Sequence, residues 1–304
     1  MKPSEEARLT RAVAASLAGC RDERFRAVMT ELVKRLHAFV RETELTEAEW
    51  LEAIEFLTAT GKLCDAKRQE FILLSDVLGV STLIDEINHR GATAATETTV
   101  LGPFYVDGAP EVPNGADISG GLRGEPVYIT GRVLTAGGEP VAGAALEVWQ
   151  VRPDALYDVQ DAAFERQGLQ LRARLRAGPD GRYAFRTLAP VSYAVPTDGP
   201  VGALLRRAGR HPMRPAHVHF IVQAPGFERI VTHLFPRGDP YLDSDTVFGV
   251  RDSLVVDFRP MSAAEAAAAG QEPGVLRVDY DFRLTPADSN ERRSAPAGAA
   301  RSST

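Results

Sequence analysis

The chain has 304 residues, 44% apolar and 25% charged, enough to bury a sizeable core in one large domain or two ordinary ones. A formal net charge of −6 and a pI of about 5.6 exclude the clustered basic face of a polyanion binder, and no run of about 18 apolar residues exists to span a bilayer. Arginines gather at Arg166–Arg176 and Arg206–Arg214, and both clusters read as solvated surface. The charged start, Met1 to Glu6, lacks the apolar stretch of a signal peptide. The only cysteines, Cys20 and Cys64, sit in helix-like segments without a CxxC pair and read as reduced, buried thiols. The expectation is a soluble cytoplasmic protein with neither nucleic-acid nor membrane partners.

Residues 1 to about 90 are poor in glycine and proline, and their apolar residues recur every three or four positions, which predicts helices. Thr46 and Glu49 form a capping box, Leu45 and Trp50 a hydrophobic staple, and the helix that follows puts Leu51, Ile54 and Leu57 on one face. Phe71–Leu78 is a further helical run, closed by Gly79 as a left-handed cap. Packing or oligomerisation is the default role for this region.

From about residue 99 the pattern changes to short strand-like runs between turn residues. Val127–Leu134 and Ala144–Gln150 read as a β-hairpin through Ala136–Pro140; Arg182–Arg186, His217–Val222 and Ser253–Phe258 are further strands. Together they suggest a β-sandwich. The fold class is therefore α+β: a helical N-terminal region over 1–98, an all-β sandwich domain over 99–286, and a disordered Ser/Ala/Arg/Gly-rich tail over 287–304.

Four of the six histidines fall within residues 211–233. Among them His217 and His219 are two apart in a strand, so both point to one face and can share a metal ion. Asp239, Asp243 or Asp245 could complete a two-His-one-carboxylate set. Tyr157, just past a strand, and Tyr193, bracketed by Pro190 and Pro196, are the other candidates. Spacing alone does not choose between them.

The stretches Leu101–Val106, Leu146–Gln150, Leu156–Asp158, Thr197–Pro200, Gly209–His219 and Gly238–Tyr241 resemble, in order and spacing, the intradiol ring-cleavage dioxygenases, and the resemblance runs from about residue 10 to 285. It implies one non-haem Fe(III) per subunit, held by the matching Tyr157, Tyr193, His217 and His219. It implies a homodimer through the N-terminal helices, with phospholipid in a tunnel at the interface. A catechol-type diol would chelate the ferric ion, Tyr193 would leave it and help remove a substrate proton, O2 would attack the activated ring, and the bond between the two hydroxylated carbons would break. Arg214 matches an arginine that supports the developing charge, and an arginine stays protonated there.

The matching pocket positions are Leu73, Asp76, Val100, Gly102, Pro103, Phe104, Val195, Pro196, Arg214 and Val247. A carboxylate facing an apolar ring pocket needs a partner, and a third substrate hydroxyl would provide one for Asp76. Asp76 with Val100 and Phe104, and the stretch Val231–Phe235 with His233 where catechol enzymes commonly carry glutamine, are similar to the hydroxyquinol branch. The implied substrate is 1,2,4-trihydroxybenzene, with catechol or chlorocatechol as the alternative. A non-catalytic transthyretin-like binding module and a zinc hydrolase are the competing classes, the latter disfavoured by phenolate donors.

Overall fold

The computed structural model describes residues 5–65, 68–90, 94–161 and 164–287. The expected tail beyond 287 lies outside the described residues. The chain divides into two compact units, Met1–Ala59 and Thr60–Thr304.

The first unit is helical. It comprises α1 (Glu5–Ser16), α2 (Glu23–Glu42) and most of α3 (Glu47–Lys62). Asp22 caps α2 by accepting from the Phe25 N–H at 2.9 Å. The expected capping box opens α3: the Thr46 N–H donates to Glu49 at 2.9 Å, and the Glu49 N–H to the Thr46 hydroxyl at 3.3 Å. No residue of α1 or α2 is buried, and Phe25, Val28, Leu32, Leu36 and Phe39 form an exposed apolar stripe along α2. Cys20 follows a short 3-10 turn and Cys64 follows α3. Both are only half-buried, because each lies past a helix end instead of on a packed face, so the expectation of buried thiols is corrected.

The second unit begins with α4 (Glu70–Val77) and α5 (Val80–Asn88), joined by Gly79 at φ 70°, as the sequence predicts. Loop contacts hold this helix pair to the strands. The buried Glu70 carboxylate accepts from the Val201 N–H at 3.1 Å, and Thr82 donates to the Val247 carbonyl at 3.0 Å.

Among the described residues twelve strands follow: β1 (Pro126–Thr135), β2 (Ala145–Gln150), β3 (Arg172–Arg176), β4 (Arg182–Leu188), β5 (Tyr193–Ala194), β6 (Met213–Arg214), β7 (Val218–Gln223), β8 (Ile230–Pro236), β9 (Val255–Val256), β10 (Arg259–Pro260), β11 (Leu276–Asp279) and β12 (Phe282–Leu284). Short helices α6 (Phe164–Gln167), α7 (Pro200–Arg207) and α8 (Ala263–Ala269) interrupt them. One sheet has the order β10-β11-β1-β12, with β4 also on β1; the other is β3-β2-β7-β8-β9; β5 and β6 pair separately. Val127, Ile129, Tyr183, Phe185 and Phe282 from the first sheet meet Leu146, Val148, Leu175, Val218, Phe220 and Leu234 from the second in one buried core.

Two expectations change. β1 and β2 are not a hairpin: β1 pairs with β4, β11 and β12, while β2 pairs with β3 and β7. The turn between them carries the chain from one sheet to the other, so both strands present alternate apolar residues to the same core. In the run 253–258 only Val255–Val256 is strand, a 3-10 turn over Asp252–Leu254 preceding it. The α+β class, helices first and sandwich after, stands as read.

Gly131 is where β1 changes partner from β11 to β12. A Cβ there would sit 1.7 Å from the Tyr280 carbonyl oxygen, a backbone atom with nowhere to move. Gly131→Ala is expected to destabilise the fold by about 2–3 kcal/mol, read as a lower urea midpoint; a wild-type midpoint would contradict this close approach.

Candidate metal centre

Sheet alternation sends Val218, Phe220 and Val222 of β7 into the sandwich core and His219 to the opposite face. Register then assembles a row across four strands. Arg172 of β3 is opposite Trp149 of β2, Trp149 opposite His219 of β7, and His219 opposite His233 of β8. The Trp149 and His219 rings stack at 4.4 Å between centroids, 10° from parallel. His217 precedes β7 and packs against both histidines, stacked on His233 at 4.6 Å. All three imidazoles are buried.

Loops cover this row. Tyr157, in the segment between β2 and α6, brings its phenol oxygen to 3.0 Å from His219 Nε2 and 3.5 Å from His217 Nε2. The two Nε2 atoms are themselves 3.0 Å apart. His217 Nδ1 lies 2.8 Å from the Pro215 carbonyl oxygen, which can only accept, so Nδ1 carries the proton and Nε2 presents a lone pair. His219 Nδ1 has no hydrogen-bond partner. Burial above all holds all three imidazoles well below 6.5, leaving them neutral, the form that binds metals. Two ligands about 2.1 Å from one ion and at right angles to each other are about 3.0 Å apart. The His217–His219 and His219–Tyr157 pairs have that spacing, and the Tyr157–His217 pair is wider at 3.5 Å.

Tyr193 of β5 is the cross-strand partner of Arg214 of β6. Its ring packs edge-on against Tyr157 at 5.3 Å and beside His217 at 5.6 Å. One Arg214 terminal nitrogen lies 3.4 Å from the Tyr193 phenol oxygen and 3.2 Å from His217 Nε2. Burial alone would weaken the guanidinium, but Asp245 and the phenols of Tyr193 and Tyr157 more than restore its charge. Arg214 is thus a fixed cation at the centre, and only 2% of it is exposed. For Tyr157, burial first and the Tyr193 phenol second push the phenol well above 10, with Arg214 opposing. Without a further positive charge this oxygen keeps its proton.

No carboxylate joins the set. Asp245 is paired with Arg214 at 3.1 Å and also accepts from the Val247 and Gly249 N–H groups. Asp239 accepts from Ser192, Ala216 and Tyr241, and Asp243 is exposed. His233 has a nitrogen within 4.8 Å of the other two histidines' ligand atoms, so the three form a possible metal-holding cluster. Yet neither of its ring nitrogens makes a hydrogen bond of normal geometry, a weaker contact with the Val100 backbone aside, and the atom at ligand spacing from His219 belongs to Tyr157.

The predicted pocket residues gather beside this centre. Leu73, Val100, Val195 and Val247 pack in one buried apolar cluster. Leu73, Pro103, Phe104 and Pro196 line a cleft of about 370 Å³. Phe104 stacks on Tyr157 at 4.7 Å, and Gly102, at φ 76°, lies so close that a Cβ would be 3.5 Å from the His219 ring. Asp76 is buried on α4, one turn from Leu73.

The "Catechol dioxygenase N terminus" profile matches residues 22–96, and the "Dioxygenase" profile matches residues 100–286. The 6-chlorohydroxyquinol 1,2-dioxygenase of Cupriavidus pinatubonensis is 51% identical over 94% of this chain and 99% of its own. The hydroxyquinol 1,2-dioxygenase of a Rhizobium species is 48% identical over 92% and 95%. The crystal structure of hydroxyquinol 1,2-dioxygenase from Pseudomonas putida DLL-E4 superposes with a TM-score of 0.86, at 48% identity, covering 93% of this chain and 99% of that one. The chain belongs to the intradiol ring-cleavage dioxygenase family.

In this intradiol dioxygenase some neighbours of the centre are not visible in the sequence. Asp245, a candidate ligand by position, braces Arg214. Trp149 stacks on His219. Arg172, within an arginine run expected to be solvated surface, is buried against Asp158. Each depends on strand register or loop path, which a single sequence does not display.

Burial raises the Asp76 carboxyl from 3.8 to about 6; Ser81 and Arg214 oppose the rise and Asp245 adds to it. A pKa raised by folding means the protonated form is preferred, so this group costs nothing below pH 4 and its full cost, roughly 3 kcal/mol, is reached above pH 6. Asp76→Asn is expected to be more stable than wild type by roughly 2–3 kcal/mol at pH 7.5, with the difference shrinking toward pH 4. Urea unfolding at both pH values checks this, and a pH-independent difference would contradict it.

Proposed function

We propose that this intradiol dioxygenase cleaves hydroxyquinol, 1,2,4-trihydroxybenzene, between its adjacent hydroxylated carbons with O2, yielding 3-hydroxy-cis,cis-muconate, which tautomerises to maleylacetate. The metal is Fe(III), with Tyr157, Tyr193, His217 and His219 as its donors. The observation that carries the metal assignment is the crowding of two imidazole Nε2 atoms and a buried phenol oxygen at 3.0–3.5 Å, next to Tyr193. Ferric iron supplies a Lewis-acidic centre that takes both oxygens of a catechol-type diol and leaves its ring electron-rich toward O2.

The chain's own residues do the rest. Tyr193 receives a substrate hydroxyl proton at its phenol oxygen. Arg214 stands 3.4 Å from that oxygen and supports the negative charge that builds on the substrate. Gly102, Pro103, Phe104 and Pro196 hold one side of the ring, and Leu73, Val100, Val195 and Val247 exclude water from the other. Asp76 accepts from the third hydroxyl, the feature that separates hydroxyquinol from catechol. Relatives named as hydroxyquinol 1,2-dioxygenases, 44–48% identical, support this choice. A chlorinated hydroxyquinol is favoured as a second substrate by the 6-chlorohydroxyquinol relative. Catechol and chlorocatechols are the alternative.

The helical 1–98 region serves dimerisation and 99–286 the chemistry, with Leu73 and Asp76 contributed to the pocket from α4. The exposed stripe Phe25, Val28, Leu32, Leu36 and Phe39 supports a homodimer, and a phospholipid at its interface and a cytoplasmic location belong to the same reading. Among the described residues no helix is long and apolar enough to cross a membrane.

The purified protein is expected to be red-brown from tyrosinate-to-Fe(III) charge transfer, with one iron per subunit by metal analysis; colourless protein that ferric loading leaves colourless would sink the metal assignment. Catalytic efficiency should rank hydroxyquinol above catechol and 4-chlorocatechol. Asp76→Ala should lower hydroxyquinol turnover at least tenfold more than catechol turnover, a difference of about 1.4 kcal/mol, and equal losses would refute the Asp76 contact.

A further inference from the structure

Tyr157 reaches the centre from an irregular segment, with only a 3-10 turn at Asp158–Gln160 behind it. A loop side chain has many conformations to choose from, and a metal donor tolerates little of that freedom. Something must hold this segment. The next residue, Asp158, is 2% exposed and faces Arg172, 4% exposed. The Arg172 Nε lies 2.9 and 2.8 Å from the two Asp158 oxygens, and a terminal nitrogen lies 2.6 Å from the first. The Val159 N–H donates to one Asp158 oxygen at 2.8 Å and the Gln170 N–H to the other at 3.0 Å. The carboxylate is therefore saturated, and its position is tied to strand β3.

Arg172 is the outermost member of the row that continues through Trp149 to His219. One line of contacts thus joins Tyr157 to His219 around the back of the centre: Asp158, Arg172, Trp149. Ala155 at φ 64° and Leu171 at φ 52° flank this link, in left-handed backbone that side chains rarely adopt. Such conformations persist where the surroundings fix them. A fully buried ion pair contributes little net stability compared with apolar residues of the same size. Its fixed, bidentate geometry is what apolar residues would not reproduce.

The geometry points to Asp158 and Arg172 as positioning residues that set the Tyr157 phenol oxygen at its distance from the two imidazoles, and so govern how tightly the centre keeps its metal. The inference rests on the reading of Tyr157 as a donor. Arg172→Lys keeps the charge and loses the fork. Asp158→Asn breaks the charge pairing at constant size. The double replacement Asp158→Leu with Arg172→Met removes the pair without leaving a lone buried charge.

Each variant and the wild type are loaded with ferric iron and challenged with a chelator, with the visible charge-transfer band recorded throughout and the melting of the metal-free protein measured alongside. Asp158→Asn and the double variant are expected to release iron ten- to hundredfold faster than wild type, with a displaced band, and Arg172→Lys to fall between. The metal-free double variant should melt close to wild type. A double variant or an Arg172→Lys protein with wild-type band and release rate would overturn the positioning role, whatever becomes of Asp158→Asn. Tyr157→Phe separates the two levels: if it leaves the band unchanged, the donor reading fails; if it alters the band while the pair variants do not, only the positioning role fails.

Discussion

The centre depends on the register of four neighbouring strands. Arg172, Trp149, His219 and His233 stand in one row across β3, β2, β7 and β8, and a slip of one residue in any strand would turn its member to the opposite face. The sandwich core enforces that register from the other side. Val148 and Phe220, alternating with the row residues, are locked among Ala173, Phe185 and Phe282, so the packing energy of the core is also what aims His219. The central strand β2 is buried on both faces for this reason and has no exposed residue.

Charge at the centre is arranged by burial. The imidazoles are kept neutral, Arg214 is kept charged by Asp245, and the Tyr157 phenol is protonated unless a cation arrives. Asp245 does more than balance Arg214. Its oxygens also accept from the Val247 and Gly249 N–H groups, so the guanidinium that faces Tyr193 and the apolar wall at Val247 share one anchor. An arginine so held has little orientational freedom, and preorganised charge of this kind is the more effective for being out of water.

Much of this could be read before folding. The helical and sandwich halves follow from the change in periodicity near residue 99, and the capping box at Thr46 and Glu49 and the left-handed Gly79 follow from local chemistry. His217 and His219 are visible as a pair because strand alternation is a property of adjacent residues. What stayed hidden involves partners distant in sequence. The supposed hairpin of β1 and β2 failed because alternation shows that a strand has a buried face, not which sheet it joins. Tyr157 and Tyr193 are reachable only through family resemblance, since neither a loop residue nor a two-residue strand carries a period. Asp245 looked like a ligand because a single sequence does not show that Arg214, 31 residues earlier, has already claimed it.

The helix pair that opens the second unit is placed by contacts of the same kind. Leu73 and Asp76 lie one turn apart on α4, and α4 is held to the strand unit by Glu70, whose carboxylate meets both Arg68 and the Val201 N–H at the start of α7. Val201 and Leu205 of α7 pack in the same apolar cluster as Leu73, Val195 and Val247. A buried acid at the start of α4 therefore fixes the helix whose later turn carries Leu73 and the buried Asp76. Leu73 and Asp76 thus stand on a different element from the strands whose register places His219 and His233.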